Sequence, residues 1–151
     1  MLICEMAAFY KLQGQTLLDV MNDIYETFGY YVNQVANYAF EGAAGMEKMH
    51  QIMDTLRSHA PKAFAGHQVL AVSDYESSVC TSLADGTKTP IDLPKSNVLA
   101  YKLEGGAGVI VRPSGTEPKI KTYVTAVGTD MASAQAAADA LTASAAKYME
   151  A

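Results

Sequence analysis

The sequence predicts an α+β fold in which a mostly antiparallel sheet carries helices on one face. Two observations lead there: a hairpin signal between residues 98 and 112, and an element order of strand, helix, four strands and helix after two opening helices. The length, 151 residues, suits about one domain with part of a second attached. Half of the residues are apolar and 18% are charged, enough to bury a real core.

Residues 2–13 are predicted helical because Ile3, Met6, Ala7 and Tyr10 recur at spacings of three, one and three, until Gly14 interrupts. Thr16 followed by Asp19 resembles a capping box. Leu17, Val20, Met21, Ile24 and Phe28 then mark one helical face up to a cap at Gly29. No layer precedes these helices, so they are expected either to pack on something outside this chain or to cover the sheet that follows.

Tyr30 to Phe40 is rich in aromatic and β-branched residues and reads as a strand, although its alternation is imperfect. Met46, Met49, Met53 and Leu56 follow at helical spacing, predicting a helix over about 44–58 whose methionines are core rather than a soft-metal site. Residues 67–75 form the next strand. The stretch 76–97, full of Ser, Thr, Asp, Gly and Pro, is expected to be one long irregular insertion. Strands over 98–103 and 109–112 flank a glycine turn, and 119–127 is a further strand. A helix beginning at Thr129 or Asp130 then turns Met131, Ala134, Ala138, Leu141, Ala145 and Tyr148 inward.

Charge and composition narrow the function. A net charge of −5 with no run of like charges repels polyanions, so neither nucleic acid nor an anionic membrane is expected as a partner. The N-terminus lacks a signal-peptide pattern, and no apolar stretch reaches eighteen residues. Cys4 and Cys80, far apart and outside any CxxC, are expected to be reduced thiols of a cytoplasmic protein. His50, His59 and His67 match no metal-ligand spacing.

The one dense polar constellation runs from Arg112 to Lys119 between two predicted strands. Arg112 offers a planar fork for phosphate oxygens, Ser114 and Thr116 offer hydroxyls, and Gly115 lets the backbone approach closely with its amides. Pro113 and Pro118 stiffen the two ends of the loop. Lys102, Arg112, Lys119 and Lys121 against Glu104 and Glu117 make the stretch locally positive within an acidic chain. Such a spot suits a small anion; the same residues also fit a plain tight turn with an arginine at its edge. A following strand, and a lysine placed too late, exclude a Walker loop.

The run GVIVRPSGTEPKIKTY, residues 108–123, preceded by LPKSNVL at 93–99, resembles the C-terminal domain of the α-D-phosphohexomutases, the phosphoglucomutase and phosphomannomutase family. The opening ICEMAAFYKLQGQTLLDVMNDIYETFGYY is similar to the helices that end the third domain of the bacterial phosphoglucomutase branch. The resemblance implies residues 1–29 as the tail of that third domain and 30–151 as a fourth domain with a TATA-box-binding-protein-like fold. It implies that Arg112, Ser114, Gly115, Thr116 and Lys119 bind the substrate phosphate remote from the reacting one, while Pro113, Glu117 and Pro118 brace the loop.

The parent reaction so implied interconverts hexose 1-phosphate and hexose 6-phosphate through a phosphoserine and a bisphosphate, with Mg²⁺. Its partners would be glucose or mannose phosphates and the three missing mutase domains. This chain contains no Thr-Ala-Ser-His-Asn-Pro serine loop, no Asp-x-Asp-x-Asp metal loop and no Gly-Glu-Glu-x-Ser-Gly sugar loop, so it is expected to bind no Mg²⁺ and to supply binding without chemistry. The alternative is a stand-alone module that uses the same cradle on a phosphorylated partner.

Overall fold

The structure, a computed structural model, describes residues 1–42 and 44–150. Helices α1 (Leu2–Leu12) and α2 (Leu17–Phe28) form as their periodicity demands. Thr16 Oγ1 accepts from the Asp19 amide at 3.2 Å, and the Asp19 carboxylate accepts from the Thr16 amide at 2.7 Å. A bond donated by the Thr16 hydroxyl at 2.7 Å, and then the one from its amide, hold the Asp19 carboxyl below its ordinary pKa. Gly29 ends α2 at φ 98°, where a side chain would be strained. Neither helix buries a residue, which removes the expectation that they cover the sheet: Phe9, Leu18 and Phe28 are all more than half exposed.

β1 (Tyr30–Ala39) alternates strictly between half-buried and exposed positions. Its irregular hydropathy has a local cause. Gln34 sits on the inward face but donates to Asp139 at 2.7 Å and accepts from Thr142 at 2.9 Å, while Tyr31 and Val35 point outward. α3 (Ala44–Ser58) buries Met49, Ile52, Met53 and Leu56. Met46, expected in that stripe, is exposed instead: the buried stripe runs through Gly45, Met49, Ile52, Met53 and Leu56, so that Gly45 and not Met46 faces inward in the first turn.

A short β2 (Ala63–Phe64) folds back on β3 (His67–Asp74) through Ala65 and Gly66, both at positive φ. The expected irregular insertion is in fact two further strands, β4 (Val79–Ser82) and β5 (Lys88–Pro90). Asp85 shapes their turn, accepting from the Thr87 amide and hydroxyl; bonds from Ser82 and Thr87 hold its pKa at about 2. The polar composition misleads because β5 is the edge of the sheet, where Lys88 and Pro90 block further pairing instead of breaking structure, and β4 is a short strand held between β3 and β5.

β6 (Leu99–Leu103), β7 (Gly108–Pro113) and β8 (Lys119–Gly128) complete the antiparallel sheet in the order β1-β8-β7-β6-β3-β4-β5, with β2 paired to β3. The β6–β7 turn is a 3₁₀ turn that Gly105 and Gly106 enter at positive φ. α4 (Met131–Ala146) starts at a reciprocal Asp130–Ser133 capping box and buries Ala134, Ala138, Leu141 and Ala145. Small residues allow that helix to press on the sheet: a Cβ at Gly128 would lie 2.3 Å from the Ala134 nitrogen. Met131 at its first turn stays exposed, contrary to expectation, because it precedes the part of the helix that lies over β1 and β8.

The core lies between the sheet and α3 with α4, around Tyr101, Phe64, Leu103, Val109, Ile120 and Leu141. One polar group is stranded in it. Thr122 is fully buried, and among the described residues its hydroxyl has no hydrogen-bond partner. An unpaired buried hydroxyl costs about 1–3 kcal/mol, and an isosteric methyl removes that cost. Thr122→Val is expected to raise the urea midpoint of unfolding, whereas Leu141→Ala, which empties a fully buried site, lowers stability by about 2–5 kcal/mol in the same measurement. A lowered midpoint for Thr122→Val would show that the hydroxyl is satisfied.

Candidate functional site

Antiparallel pairing places Arg112 of β7 directly opposite Lys121 of β8, and Pro113 opposite Ile120. Because side chains alternate along a strand, Ile120, Thr122 and Val124 enter the core while Lys119, Lys121 and Tyr123 turn to the face away from α3 and α4. The loop 113–118 closes over the end of this pair of strands. Arg112, Lys119, Lys121 and Tyr123, together with loop residues 113–117, line an open cavity of about 370 Å³.

The loop is held by its own short bonds. The Ser114 amide donates to the Lys119 carbonyl at 2.8 Å, and Ser114 Oγ accepts from the amides of Glu117 at 3.3 Å and, more weakly, Thr116 at 3.4 Å. The Pro118 carbonyl accepts from the Phe40 amide at 2.8 Å, which ties the loop to the end of β1. Lys119 Nζ pairs with the Glu117 carboxylate. That hydrogen bond, then the charges of Lys119 and Lys121, hold the Glu117 carboxyl below its ordinary value. Glu117 therefore stays ionised and orients Lys119. Being exposed, the pair contributes little to stability.

The two arginines of the chain have opposite fates. Arg57 is consumed by structure: its guanidinium meets Asp74 at 3.4 Å, Glu76 at 2.5 Å and the Asn97 side chain. Arg112 is exposed and, among the described residues, has no acidic partner. Its fork stands beside hydroxyls and amides, with three cations against one carboxylate in the cavity wall. Burial of positive charge is avoided, yet an anion entering here would find donors already arranged.

All eight residues from Arg112 to Lys119 come together at this loop, and all but Pro118 line the cavity itself. The structure adds Lys121 and Tyr123, which the sequence analysis did not assign to the site. Continuing the alternation from Lys119 by twos would have found both. Lys102 is not part of the cavity: it pairs with Gly108, four residues along β7 from Arg112. The 93–99 string is likewise absent from the cavity wall, and Asn97 serves Arg57. Among the described residues no group of three or more His, Cys, Asp or Glu gathers. Among the described residues no helix is long and apolar enough to cross a membrane.

The profile of the phosphoglucomutase/phosphomannomutase C-terminal domain matches residues 53–143, which contain the whole cavity. The chain belongs to this family. A phosphoglucomutase of Staphylococcus aureus (strain MRSA252) is 41% identical over 123 residues, 82% of this chain and 22% of that protein. The phosphoglucomutase of Staphylococcus haemolyticus (strain JCSC1435) is 37% identical over the same extent. The chain thus spans about a fifth of the length of the curated relatives it matches. In fold it is similar to the open form of the exocytosis-sensitive phosphoprotein pp63/parafusin, a phosphoglucomutase from Paramecium, with a TM-score of 0.59 at 15% identity over 93% of this chain and 24% of that one.

The cavity's shape depends on a contact made from behind. A Cβ at buried Gly45, in the first turn of α3, would lie 2.5 Å from the Phe40 carbonyl oxygen and 3.1 Å from Pro118 Cβ. Backbone cannot yield as a side-chain tip does. Gly45→Ala is expected to shift the amide resonances of residues 113–119 and to lower the thermal midpoint, while Gly115→Ala, where the added Cβ meets open space, leaves the midpoint nearly unchanged. Unmoved loop resonances in Gly45→Ala would refute the coupling.

Proposed function

We propose that this chain is the part of a phosphohexomutase that grips the phosphate of a phosphorylated hexose. The observation that carries the reading is Arg112: an exposed guanidinium without an acidic partner, standing over a loop of hydroxyls and amides whose geometry is already held by Ser114 and Pro118. Arg112 would take two phosphate oxygens with its planar fork, and Ser114, Thr116 and the Gly115 amide would take the others. Lys119 and Lys121 would add charge from the cavity wall. Holding one phosphate fixes the orientation of the sugar, and that binding energy lowers a barrier only when it is coupled to a reacting centre.

In the whole enzyme this reading places the reacting phosphate elsewhere. Hexose 1-phosphate and hexose 6-phosphate would interconvert by way of a phosphoserine and a bisphosphate in domains outside this chain, where Mg²⁺ would also be held. Helices α1 and α2 support the same assignment. Their apolar residues, with Leu2, Ile3, Phe9, Leu12, Leu18 and Phe28 more than half exposed, are what the tail of a preceding domain would leave uncovered. The two free thiols suit a cytoplasmic setting.

Two outcomes test this. The 151-residue chain alone should show no conversion between hexose 1- and 6-phosphates at any Mg²⁺ concentration, since it carries no serine loop or metal loop; turnover in protein free of host mutase would overturn that. In an NMR titration, inorganic phosphate should move the amides of residues 112–119 with a dissociation constant in the millimolar range, about −4 kcal/mol. Arg112→Ala should abolish the shifts, Arg112→Lys restore them in part, and Lys62→Ala change nothing. Shifts that bypass residues 112–119, or that persist in Arg112→Ala, would show that the cradle is a plain turn.

A further inference from the structure

Strand register arranges the open face of the sheet in rows. Arg112, Lys121 and Asn37 form the first row below the loop. One step further, Ile110, Tyr123 and Val35 stand side by side on β7, β8 and β1. Ile110 is 40% and Val35 54% exposed, on the face opposite α3 and α4. The next row is polar again: Thr125 donates to Asn33 at 2.7 Å. An apolar row with an aromatic centre is therefore set between two polar ones, and its tyrosine lines the same cavity as the arginine.

From this arrangement we propose that Tyr123, flanked by Ile110 and Val35, is the platform on which the sugar ring of a phosphorylated pyranose rests, and so a specificity-determining residue. The inference rests on the cradle reading and extends it from the phosphate to the sugar. Neighbouring same-face positions on a strand are about 6.7 Å apart. A pyranose whose phosphate is held by Arg112 and the loop, with Lys121 beside it, reaches toward that next row. Pyranoses present C–H groups on one face and hydroxyls at the rim. An aromatic ring takes the C–H face and leaves the hydroxyls wet, which neither a bare phosphate nor a short acyclic phosphate ester can exploit. A merely structural tyrosine in a cross-strand row would affect stability and would not discriminate among phosphate esters.

The test compares three ligands on the 151-residue chain by NMR titration: inorganic phosphate, glycerol 3-phosphate and glucose 6-phosphate. The unmodified chain should bind glucose 6-phosphate more tightly than the other two. Tyr123→Ala should weaken glucose 6-phosphate about three- to tenfold while leaving phosphate unchanged, and Tyr123→Phe should keep the preference. Saturation transfer from the Tyr123 ring to sugar protons, in the unmodified chain, gives the same answer without relying on a variant that folds. A sugar preference that survives Tyr123→Ala, equal weakening of all three ligands, or no transfer when the cradle is saturated would each overturn the platform. If phosphate moves residues 112–119 but no sugar preference exists, this inference alone fails; if phosphate does not move them, the cradle reading fails first.

Discussion

The antiparallel pairing of β8 with β7 on one side and β1 on the other is the constraint on which everything else depends. Side chains alternate with a period of two, so this register decides at once what enters the core and what faces outward. Ile120, Thr122, Val124 and Ala126 are buried, while Lys119, Lys121, Tyr123 and Thr125 line the open face. A slip of one residue would drive two lysines under α3 and α4 and expose the apolar set. The buried row thus protects the register, and the register assembles the cavity. Thr122 shows how strongly packing governs this strand, since it sits in the core with an unpaired hydroxyl.

The sheet supplies rigidity and the loop supplies donors. Residues 113–118 are fastened at three points: Ser114 to Lys119, Pro118 to Phe40, and Pro118 against Gly45 of α3. A loop tied in this way presents its amides with little freedom left to lose, which favours binding of a small ligand that has few atoms with which to offset that loss. Arg112 extends from the end of β7 into the same space, whereas the other arginine is spent on neutralising Asp74 and Glu76. Two residues of one type are separated in role entirely by what the fold places around them.

The N-terminal helices behave differently from the rest of the chain. α2 begins with a satisfied capping box and ends on a glycine cap, so it is locally complete, yet it meets the sheet mainly through the stacked Tyr25 and Tyr30 rings, 5.5 Å apart. Local signals are enough to make these helices and do not give them a core. The chain spans about a fifth of the length of the curated relatives it matches.

The sequence by itself determined the helices, five of the strands, the hairpin glycines and the Arg112–Lys119 loop, because each rests on short-range physics: periodicity, caps, turn chemistry, or a motif dense enough to be recognised. It misplaced what long-range packing decides. β5 is polar because it is the edge strand, β4 is a four-residue strand paired on both sides by β3 and β5, and β2 is too short for a pattern to show. Met46 and Met131 carry core-like side chains at positions the sheet does not reach. Lys121 and Tyr123 follow Lys119 by twos, but strand pairing put their face beside Arg112, and Lys102, a neighbour in charge counting, was carried away along β6. A residue's type and spacing are local properties; which face it occupies, and beside which residue, is settled by the register between strands far apart in the chain.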